Sequence, residues 1–210
     1  MHDDRAAAMQ RLRAEGLACT RCDLYLSGTP VVWGEGDPAA RVMFIGQGPG
    51  EQEAKAGRPF VGPAGELLNA LLAESGIQRQ RLWITNVIKH WATKRNERGR
   101  LVNRDPRAAE LRACRIWLDG ELAIVQPRLL LCLGAPAAKA VIGKDFRLSE
   151  QRGQWFAGPN GTEAMATFHP SYLLRLQAND RAAFERARAL VLDDLLRLKA
   201  RAAEHSIPLA

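Results

Sequence analysis

The sequence contains no run of eighteen apolar residues, no internal repeat and few cysteines. The first absence excludes a membrane-spanning helix. The N-terminal segment MHDDRAAAMQRLRAEG also has no apolar stretch of the kind that a secretory signal requires. We therefore expect a cytoplasmic protein, whose 4 cysteines stay reduced rather than form disulfides. With 47% apolar and 25% charged residues, the 210-residue chain is typical of one soluble globular domain over 1–210.

Acidic residues are scarce in one segment of this basic chain. The net charge is +7, and +5 of it falls between residues 94 and 115, where eight basic residues accompany three acids. Two interpretations remain open, an exposed and solvated face or a strip that contacts the phosphates of a polyanion. The loop 92–106 is the one connection long enough to be a functional insertion. The eight basic residues are Lys94, Arg95, Arg98, Arg100, Arg104, Arg107, Arg112 and Arg115.

Short apolar runs alternate with segments of helical periodicity along the chain. The predicted strands are 41–46, 82–88, 128–134 and 164–170. The predicted helices are 64–76, 107–125, 135–143 and 180–203. This alternation predicts an α/β fold, a three-layer α/β/α arrangement around a central, mostly parallel four-stranded sheet.

Polar and small residues stand where the predicted strands end. The first strand is followed by GQGPG at 46–50, and the others end at Asn86, Gly134 and His169. Ligands of such sheets bind at the carboxyl ends of the strands. We therefore expect these residues to meet at one crevice.

Three of the side chains near this crevice suit a planar polar ligand, although each has a plainer interpretation. Phe60 lies in a Gly/Pro-rich loop, where it either stacks on a nucleobase or plugs the loop onto the core. Asn86 can both donate to and accept from a pyrimidine edge, or can form an Asx-turn. A lone histidine such as His169 is more often structural than catalytic. The GQGPGEQE segment lacks both the dinucleotide fingerprint and the Walker spacing.

The cysteines separate into two kinds. Cys19 and Cys22 form a C-x-x-C pair, which can bind a metal or perform redox chemistry. Cys132 lies inside the apolar run LLLCLG and is expected to be an inert core thiol.

Taken in order, the motifs G-x-G-P-G-E, GRPFVGxAG, TNV-x-K, LG-x-x-A, RG and HPSYLLR resemble those of the uracil-DNA glycosylase superfamily. The resemblance is to its iron–sulfur members, the family 4 enzymes and the X-type glycosylases, and it covers about residues 15–177. It is the ordered set, rather than any single motif, that makes the resemblance specific.

The resemblance implies a [4Fe–4S] cluster with Cys19, Cys22, His90 and Cys114 as its ligands. His90 stands where the family usually has cysteine, and imidazole ligation of iron is known in other clusters. The alternative is a Cys₃His zinc site. In either case we expect a structural role, tying the N-terminal segment to the basic loop and the helix after it.

The resemblance also implies a pocket for uracil flipped out of DNA. The uracil would stack on Phe60, and Asn86 would bind its polar edge. His169 would donate to the uracil O2 as charge builds on the leaving base, assisted by backbone N–H groups at Gly46, Gln47 and Gly48. The residues expected to contact DNA are Leu173, Leu174 and Arg175, as a wedge filling the gap, and Lys94, Arg95, Arg98, Arg100, Asn103 and Arg104 in the basic loop.

Two departures from the family pattern bear on the reaction. The motif begins Gly46-Gln47, where family 4 and X-type members have G-E, and glutamine can orient water but cannot deprotonate it. Glu51 or Glu53 would then supply negative charge near the sugar. The loop resembles that of the X-type branch, whose histidine attacks the sugar and stays joined to DNA. Here Asn103 takes that place, so we predict no covalent trapping.

We therefore expect a monomeric, monofunctional uracil-DNA glycosylase that releases free uracil and leaves an abasic site for base-excision repair. The first alternative is a catalytically weak protein that recognises or protects uracil in DNA. The second is a cluster-bearing nucleic-acid interaction protein with a vestigial pocket, which the joint presence of Phe60, Asn86 and His169 disfavours.

Overall fold

The computed structural model describes residues 2–210 of the chain, with side chains from residue 4 onward. It has a six-stranded sheet and a separate two-stranded hairpin. The strands are β1 Glu35–Gly36, β2 Val42–Gly46, β3 Leu82–Asn86, β4 Thr93–Arg95, β5 Leu101–Asn103, β6 Leu129–Leu133, β7 Phe156–Ala157 and β8 Glu163–Thr167. The helices are α1 His2–Gly16, α2 Glu51–Ala56, α3 Pro63–Glu74, α4 Ala108–Val125, α5 Ala135–Val141, α6 Leu148–Gln151, α7 Pro170–Asn179 and α8 Arg181–Glu204.

The sheet has the order β1-β3-β2-β6-β8-β7, and its four central strands are parallel. The α/β class and the mostly parallel sheet are thus confirmed. The predicted number of four strands is wrong, because β1 and β7 add an antiparallel edge on each side. Each of these edge strands has only 2 residues, which is too short to give a period in the sequence.

Alternate side chains of the central strands bury into two separate cores, as a sheet covered on both faces requires. Met43 and Ile45 of β2 pack with residues of α1, α4 and α5. Val42 and Phe44 point the other way and pack with residues of α3, α7 and α8. The three-layer arrangement follows directly from this alternation.

The order of the strands places a crevice at their carboxyl ends. From β2 the chain first crosses to β3 on one side and later to β6 on the other. The loops that follow β2 and β6 therefore diverge, and ligands of open α/β sheets bind in the opening between them. In the register of β2 and β3, Gly46 lies directly beside Asn86.

Three local features differ from the sequence-based expectations. The predicted strand 164–170 ends at Thr167, and Pro170 begins α7, where a missing N–H costs nothing. The long helix α1 was not predicted, because its Ala- and Arg-rich sequence has no apolar stripe. The basic loop is an ordered antiparallel hairpin, with Thr93 opposite Asn103. Among the described residues, no helix is both long and apolar enough to cross a bilayer.

Candidate active site

A cavity of about 890 Å³ opens at the carboxyl ends of the parallel strands. Phe60, Asn86 and His169 all line it, so the structure brings the three predicted ligand-binding side chains together. The ring centroids of Phe60 and His169 are 5.8 Å apart. A Cβ atom on Gly46 would collide with Asn86 Oδ1 and would come within 2.7 Å of Phe60 Cζ. Glycine at position 46 therefore permits the amide and the aromatic ring to approach each other.

Asn86, which lines this cavity, has a buried side-chain acceptor without a hydrogen-bond partner among the described residues. Its side chain is buried at the end of β3, and nothing in residues 2–210 donates a hydrogen bond to its Oδ1 atom. An unpaired buried acceptor costs about 1–3 kcal/mol. Such an atom in the wall of a cavity indicates a ligand that brings its own donor.

His169 is held in one tautomer by the backbone. It is the N-cap of α7, and the Ser171 backbone N–H donates to its Nδ1 atom at 3.1 Å, with Ser171 Oγ also 2.8 Å from Nδ1. Because a backbone N–H only donates, Nδ1 must be the acceptor, and the proton of the neutral ring is on Nε2. The pKa of His169 is lowered to about 4, chiefly by burial and in smaller part by the nearby charge of Arg175, while the charge of Glu53 opposes the shift. The site therefore contains a neutral imidazole that can donate from Nε2.

Phe60 occupies a backbone conformation that is unusual for a side chain of its size. Its φ is +53°, in the left-handed region, and the ring is buried against the cavity wall. The turn closes tightly because the Phe60 carbonyl packs against Gly65, where any Cβ atom would collide with it. Left-handed non-glycine residues cost of order 1–3 kcal/mol and cluster at ligand sites.

The two predicted catalytic acids have different surroundings. Glu51 is exposed and pairs with Lys55 at 2.6 Å. Glu53 accepts hydrogen bonds from the backbone N–H groups of Gly50 at 3.2 Å and Gly62 at 3.0 Å, which ties the two loops of the cavity wall together. Of these two acids, Glu53 is the one whose charge acts on the pKa of His169, so it is the acid nearer in effect to the imidazole.

Gln47 contacts a carboxylate that sequence reasoning did not select. Its Nε2 atom donates to Asp105 Oδ1 at 3.4 Å, and both residues line the cavity. Asp105 follows the basic hairpin, and the only sequence signal for it was its place in the family-like segment NRDP.

We define the basic hairpin as residues 93–103, the strands β4 and β5 with their turn. Asn96 organises the turn, because its Oδ1 atom accepts the backbone N–H groups of Arg98 and Arg100, both at 3.0 Å. Asn103 borders the cavity, and its Oδ1 atom accepts the indole N–H of Trp91. Four predicted DNA-contacting side chains are exposed on the basic hairpin, namely Lys94, Arg95, Arg98 and Arg100.

Two predicted DNA contacts need correction. Arg104 is used within the protein, because its guanidinium forms a two-pronged ion pair with Glu110, at 2.6 and 2.8 Å, and also donates to the Thr93 carbonyl. This ion pair raises the pKa of Arg104 and lowers that of Glu110. Leu173 is 0% exposed and belongs to the core between α3, α7 and α8, so it is not available as a wedge. The sequence HPSYLLR gave no sign that a helix begins at Pro170 and turns Leu173 inward.

Leu174 and Arg175, the other predicted wedge residues, do line the mouth of the cavity, together with Tyr172, which was not selected from the sequence. Tyr172 and Arg175 are exposed, and Leu174 is half-buried. The face of α7 that lies at the cavity mouth is therefore aromatic and basic.

A fully buried ion pair between Lys89 and Glu121 holds the backbone that carries Asn86. Lys89 Nζ donates to Glu121 Oε2 at 2.7 Å, to Thr85 Oγ1 at 2.7 Å and to the Asn86 carbonyl at 2.9 Å. Glu121 also accepts the Thr85 hydroxyl at 2.6 Å and the Gly34 N–H at 2.9 Å. Lys89 is the lysine of the motif TNV-x-K, but the sequence did not indicate its burial or its pairing with Glu121, because lysine and glutamate are ordinarily exposed.

The candidate metal ligands lie on the opposite side of the sheet from α3. The Lys89 backbone N–H donates to Cys114 Sγ at 3.2 Å, and the Trp117 indole N–H donates to Cys19 Sγ at 3.2 Å. The pKa of Cys114 is raised to about 11, chiefly by burial; the charge and the backbone N–H of Lys89 oppose the shift, and the neighbouring Cys22 and Cys19 add to it. Burial also raises the pKa of Cys22 and lowers that of His90, which directly follows Lys89.

The donor set of this thiol site fits an iron–sulfur cluster. The charges of three thiols interact, the buried His90 follows Lys89, whose N–H donates to Cys114, and a second N–H donates to Cys19, as N–H groups do around bound clusters. Among the side chains of residues 4–210, no three of Cys, His, Asp or Glu are arranged to hold a single metal ion. Cys132 is fully buried in β6, away from these groups, as predicted for a core thiol.

A parallel sheet with an aromatic ring, an unpaired amide and a neutral imidazole around one cavity defines a nucleobase-binding α/β protein. The chain belongs to the uracil DNA glycosylase superfamily, whose family model matches residues 33–193.

Named relatives are similar to this chain over most of its length. A type-4 uracil-DNA glycosylase of Thermotoga maritima is 41% identical over 86% of this chain and 88% of its own. One from Sulfurisphaera tokodaii is 34% identical over 80% of this chain and 76% of its own. Among solved structures, Pedobacter heparinus SMUG2 matches with a TM-score of 0.54 at 13% identity, covering 77% of this chain and 76% of that one. This last likeness concerns the fold alone.

Proposed function

We propose that this chain is a uracil-DNA glycosylase, which extrudes uracil from DNA and hydrolyses its N-glycosidic bond for base-excision repair. The products are free uracil and an abasic site. The observation that carries the proposal is the meeting of Phe60, Asn86 and His169 at one cavity, with an unpaired acceptor on Asn86. The names of the type-4 relatives support it. We also propose that the chain acts as a cytoplasmic monomer, folded as a single domain.

Recognition of uracil follows from the free acceptor on Asn86. Uracil has a donor at N3 and an acceptor at O4, so Asn86 Oδ1 can accept from N3 while its amide nitrogen donates to O4. Cytosine has an acceptor at N3 and a donor at its amino group, and would leave both pairs mismatched inside a buried site. Stacking on Phe60 offsets part of the few kcal/mol that extrusion of the base costs.

Departure of the base is assisted by His169. The bond between base and sugar breaks with its electrons moving to uracil, which develops negative charge at O2. The neutral ring can donate from Nε2, since Nδ1 accepts from Ser171. A donor fixed before the reaction stabilises the transition state without reorganisation. The backbone at Gln47 and Gly48 provides further donors beside the cavity.

Water must add to the sugar carbon and lose a proton. Gln47 can orient this water, and the carboxylate in contact with Gln47 is that of Asp105. We assign the proton to Asp105, while Glu53, the acid beside His169, supplies negative charge to the positive sugar. Asp105→Asn and Glu53→Gln test this division. The first variant should slow excision and shift its pH profile, whereas equal pH profiles for both variants would contradict it.

Cys19, Cys22, His90 and Cys114 would hold a [4Fe–4S] cluster. When bound, the cluster supplies a structural cross-link between the N-terminal segment and α4, with no part in the bond cleavage. Visible absorbance together with iron, sulfide and zinc analysis of the purified protein distinguishes a cluster from a Cys₃His zinc site. Stoichiometric zinc without sulfide would overturn the cluster assignment.

The decisive experiment uses labelled uracil-containing oligonucleotides, single-stranded and duplex. After incubation and alkali treatment, strand cleavage in the wild type and its loss in His169→Ala would support the enzyme. A shifted band without cleavage would support the alternative, a weak or inactive uracil-DNA binder, which the glutamine at position 47 favours. A band that survives detergent and heat would contradict the expectation that Asn103 forms no covalent link.

A further inference from the structure

The mouth of the cavity carries an aromatic ring with no assigned role. Tyr172 lies in the first turn of α7, and its side chain is among the few large apolar groups that are exposed, at 37%. Its backbone N–H donates to the His169 carbonyl at 2.8 Å, so one helical turn links the exposed ring to the imidazole of the site. Both residues line the same cavity.

The ring of Tyr172 is held in place from within the protein. The Phe168 ring lies against it, with centroids 5.2 Å apart and an angle of 44° between planes. The guanidinium carbon of Arg175 is 5.9 Å from the Tyr172 centroid, and that of Arg152 is 5.7 Å from the Phe168 centroid. The two adjacent rings thus have an arginine at each end, and these contacts lower the entropy that is lost when the exposed ring binds a partner.

Leu173, the residue next to Tyr172, cannot contact DNA. Leu173 is enclosed by core residues of α3 and α8, and removing it from the core would leave a cavity. On this turn of α7, the large side chain that faces outward is therefore Tyr172. An exposed aromatic face beside an exposed arginine fits a base with its adjoining phosphate, because every base has a π-face and every phosphate a negative charge.

We propose that Tyr172 stacks on the base adjacent to the extruded uracil, and that Arg175 contacts the phosphate beside that base. The proposal rests on the proposed function, since the extruded nucleotide fixes which base is adjacent. We expect the base on Tyr172 to be the direct neighbour of the extruded uracil, because His169 and Tyr172 are only one helical turn apart. Stacking does not depend on base identity, so the contact is tolerant of sequence.

The test uses oligonucleotides that carry non-cleavable 2′-fluoro-deoxyuridine with 2-aminopurine on its 5′ or its 3′ side. Fluorescence of 2-aminopurine falls when it stacks. For one of the two oligonucleotides, the 2-aminopurine fluorescence should be lower in the complex with the wild type than in the complex with Tyr172→Ala. Tyr172→Ala should also bind roughly 5- to 150-fold more weakly, the range for one lost stacked base. Tyr172→Phe should retain both properties.

Leu173→Ala is the matched control on the adjacent residue. It should lower the midpoint of thermal unfolding yet keep the 2-aminopurine signal, the opposite of the result for Tyr172→Ala. If the wild type excises uracil but Tyr172→Ala leaves the signal unchanged on both sides, the stacking proposal is wrong and the proposed function stands. If the wild type neither binds nor excises uracil, the proposed function fails first.

Discussion

Lys89 and Lys94 are five residues apart, yet they belong to regions that use charge in opposite ways. Lys89 is 1% exposed, and three acceptors surround its Nζ atom within 3 Å. Lys94 lies on the basic hairpin, where its side chain is exposed. The buried charge fixes the backbone that carries Asn86, whereas the exposed charges attract a polyanion. Positive charge thus organises the site in the first region, whereas in the second it is exposed and, under the proposed function, available to the phosphates of DNA.

The strongest test of this difference between the two lysines is to make the same substitution at both positions. Lys89→Met should lower the free energy of unfolding by about 3–5 kcal/mol, because it leaves Glu121 charged and buried without its partner. Lys94→Met should change that free energy by less than about 0.5 kcal/mol, as exposed substitutions do. Urea unfolding monitored by circular dichroism measures both.

A double variant refines that measurement. Lys89→Met with Glu121→Leu removes both charges, and should recover much of the lost stability, because a buried pair replaced by apolar groups is often neutral. Equal stability losses in the single and double variants would argue that the pair is not the cause.

The next largest effect is on the rate of uracil excision, and it involves only the interior of the site. His169→Gln should reduce the rate of uracil excision by about 10²–10³-fold, the usual cost of losing one donor to a developing anion. The loss should be the same at low and high salt, since the contact is inside the protein. Single-turnover rates at two salt concentrations check this, and a loss that disappears at one of them would contradict it.

The pKa of His169 predicts a smaller effect that depends on pH. The folded value is about 4, below the ordinary value near 6.5. Between these two pH values the unfolded chain binds the proton and the folded chain does not, so stability falls as pH falls through this window. The loss attributable to His169 is roughly 2–3 kcal/mol. Unfolding curves at pH 4 and 7 for wild type and His169→Gln isolate it as the difference between the two proteins.

The smallest effect belongs to the basic hairpin. Arg98→Ala with Arg100→Ala should weaken DNA binding several-fold and reduce the slope of log affinity against log salt by about two. Arg181→Ala with Arg186→Ala, which removes the same charge from exposed positions on α8, should leave the slope unchanged. Equal slopes for the two double variants would show that net charge, rather than the hairpin, attracts DNA.

The sequence was sufficient for the features that depend on pattern. The four parallel strands were predicted because each is a short apolar run. Asn86 and His169 were selected because they stand where predicted strands end, and Phe60 because it lies in a Gly/Pro-rich loop. The sequence could not show which polar residues pair inside the protein. In the sequence, Lys89 and Arg104 resemble ordinary exposed cations. The partner of Lys89 is Glu121, which is many residues away, and the partner of Arg104 is Glu110, which lies in helix α4.

The sequence also could not predict features that change when an element begins one residue earlier or later. Whether Tyr172 or Leu173 faces outward depends on where α7 begins, and that is set by Pro170 and the cap at His169. Likewise, the left-handed conformation of Phe60 depends on the close approach of Gly65, which no local propensity indicates.

The N-cap of α7 determines which substitutions of Ser171 this enzyme should tolerate. The peptide N–H of residue 171 is by itself sufficient to direct the proton of His169 to Nε2, although Ser171 Oγ also lies 2.8 Å from Nδ1. Replacement of Ser171 by almost any amino acid therefore leaves the tautomer in place. Proline alone lacks that N–H, so a library randomised at this codon should lose activity with proline and tolerate most other residues.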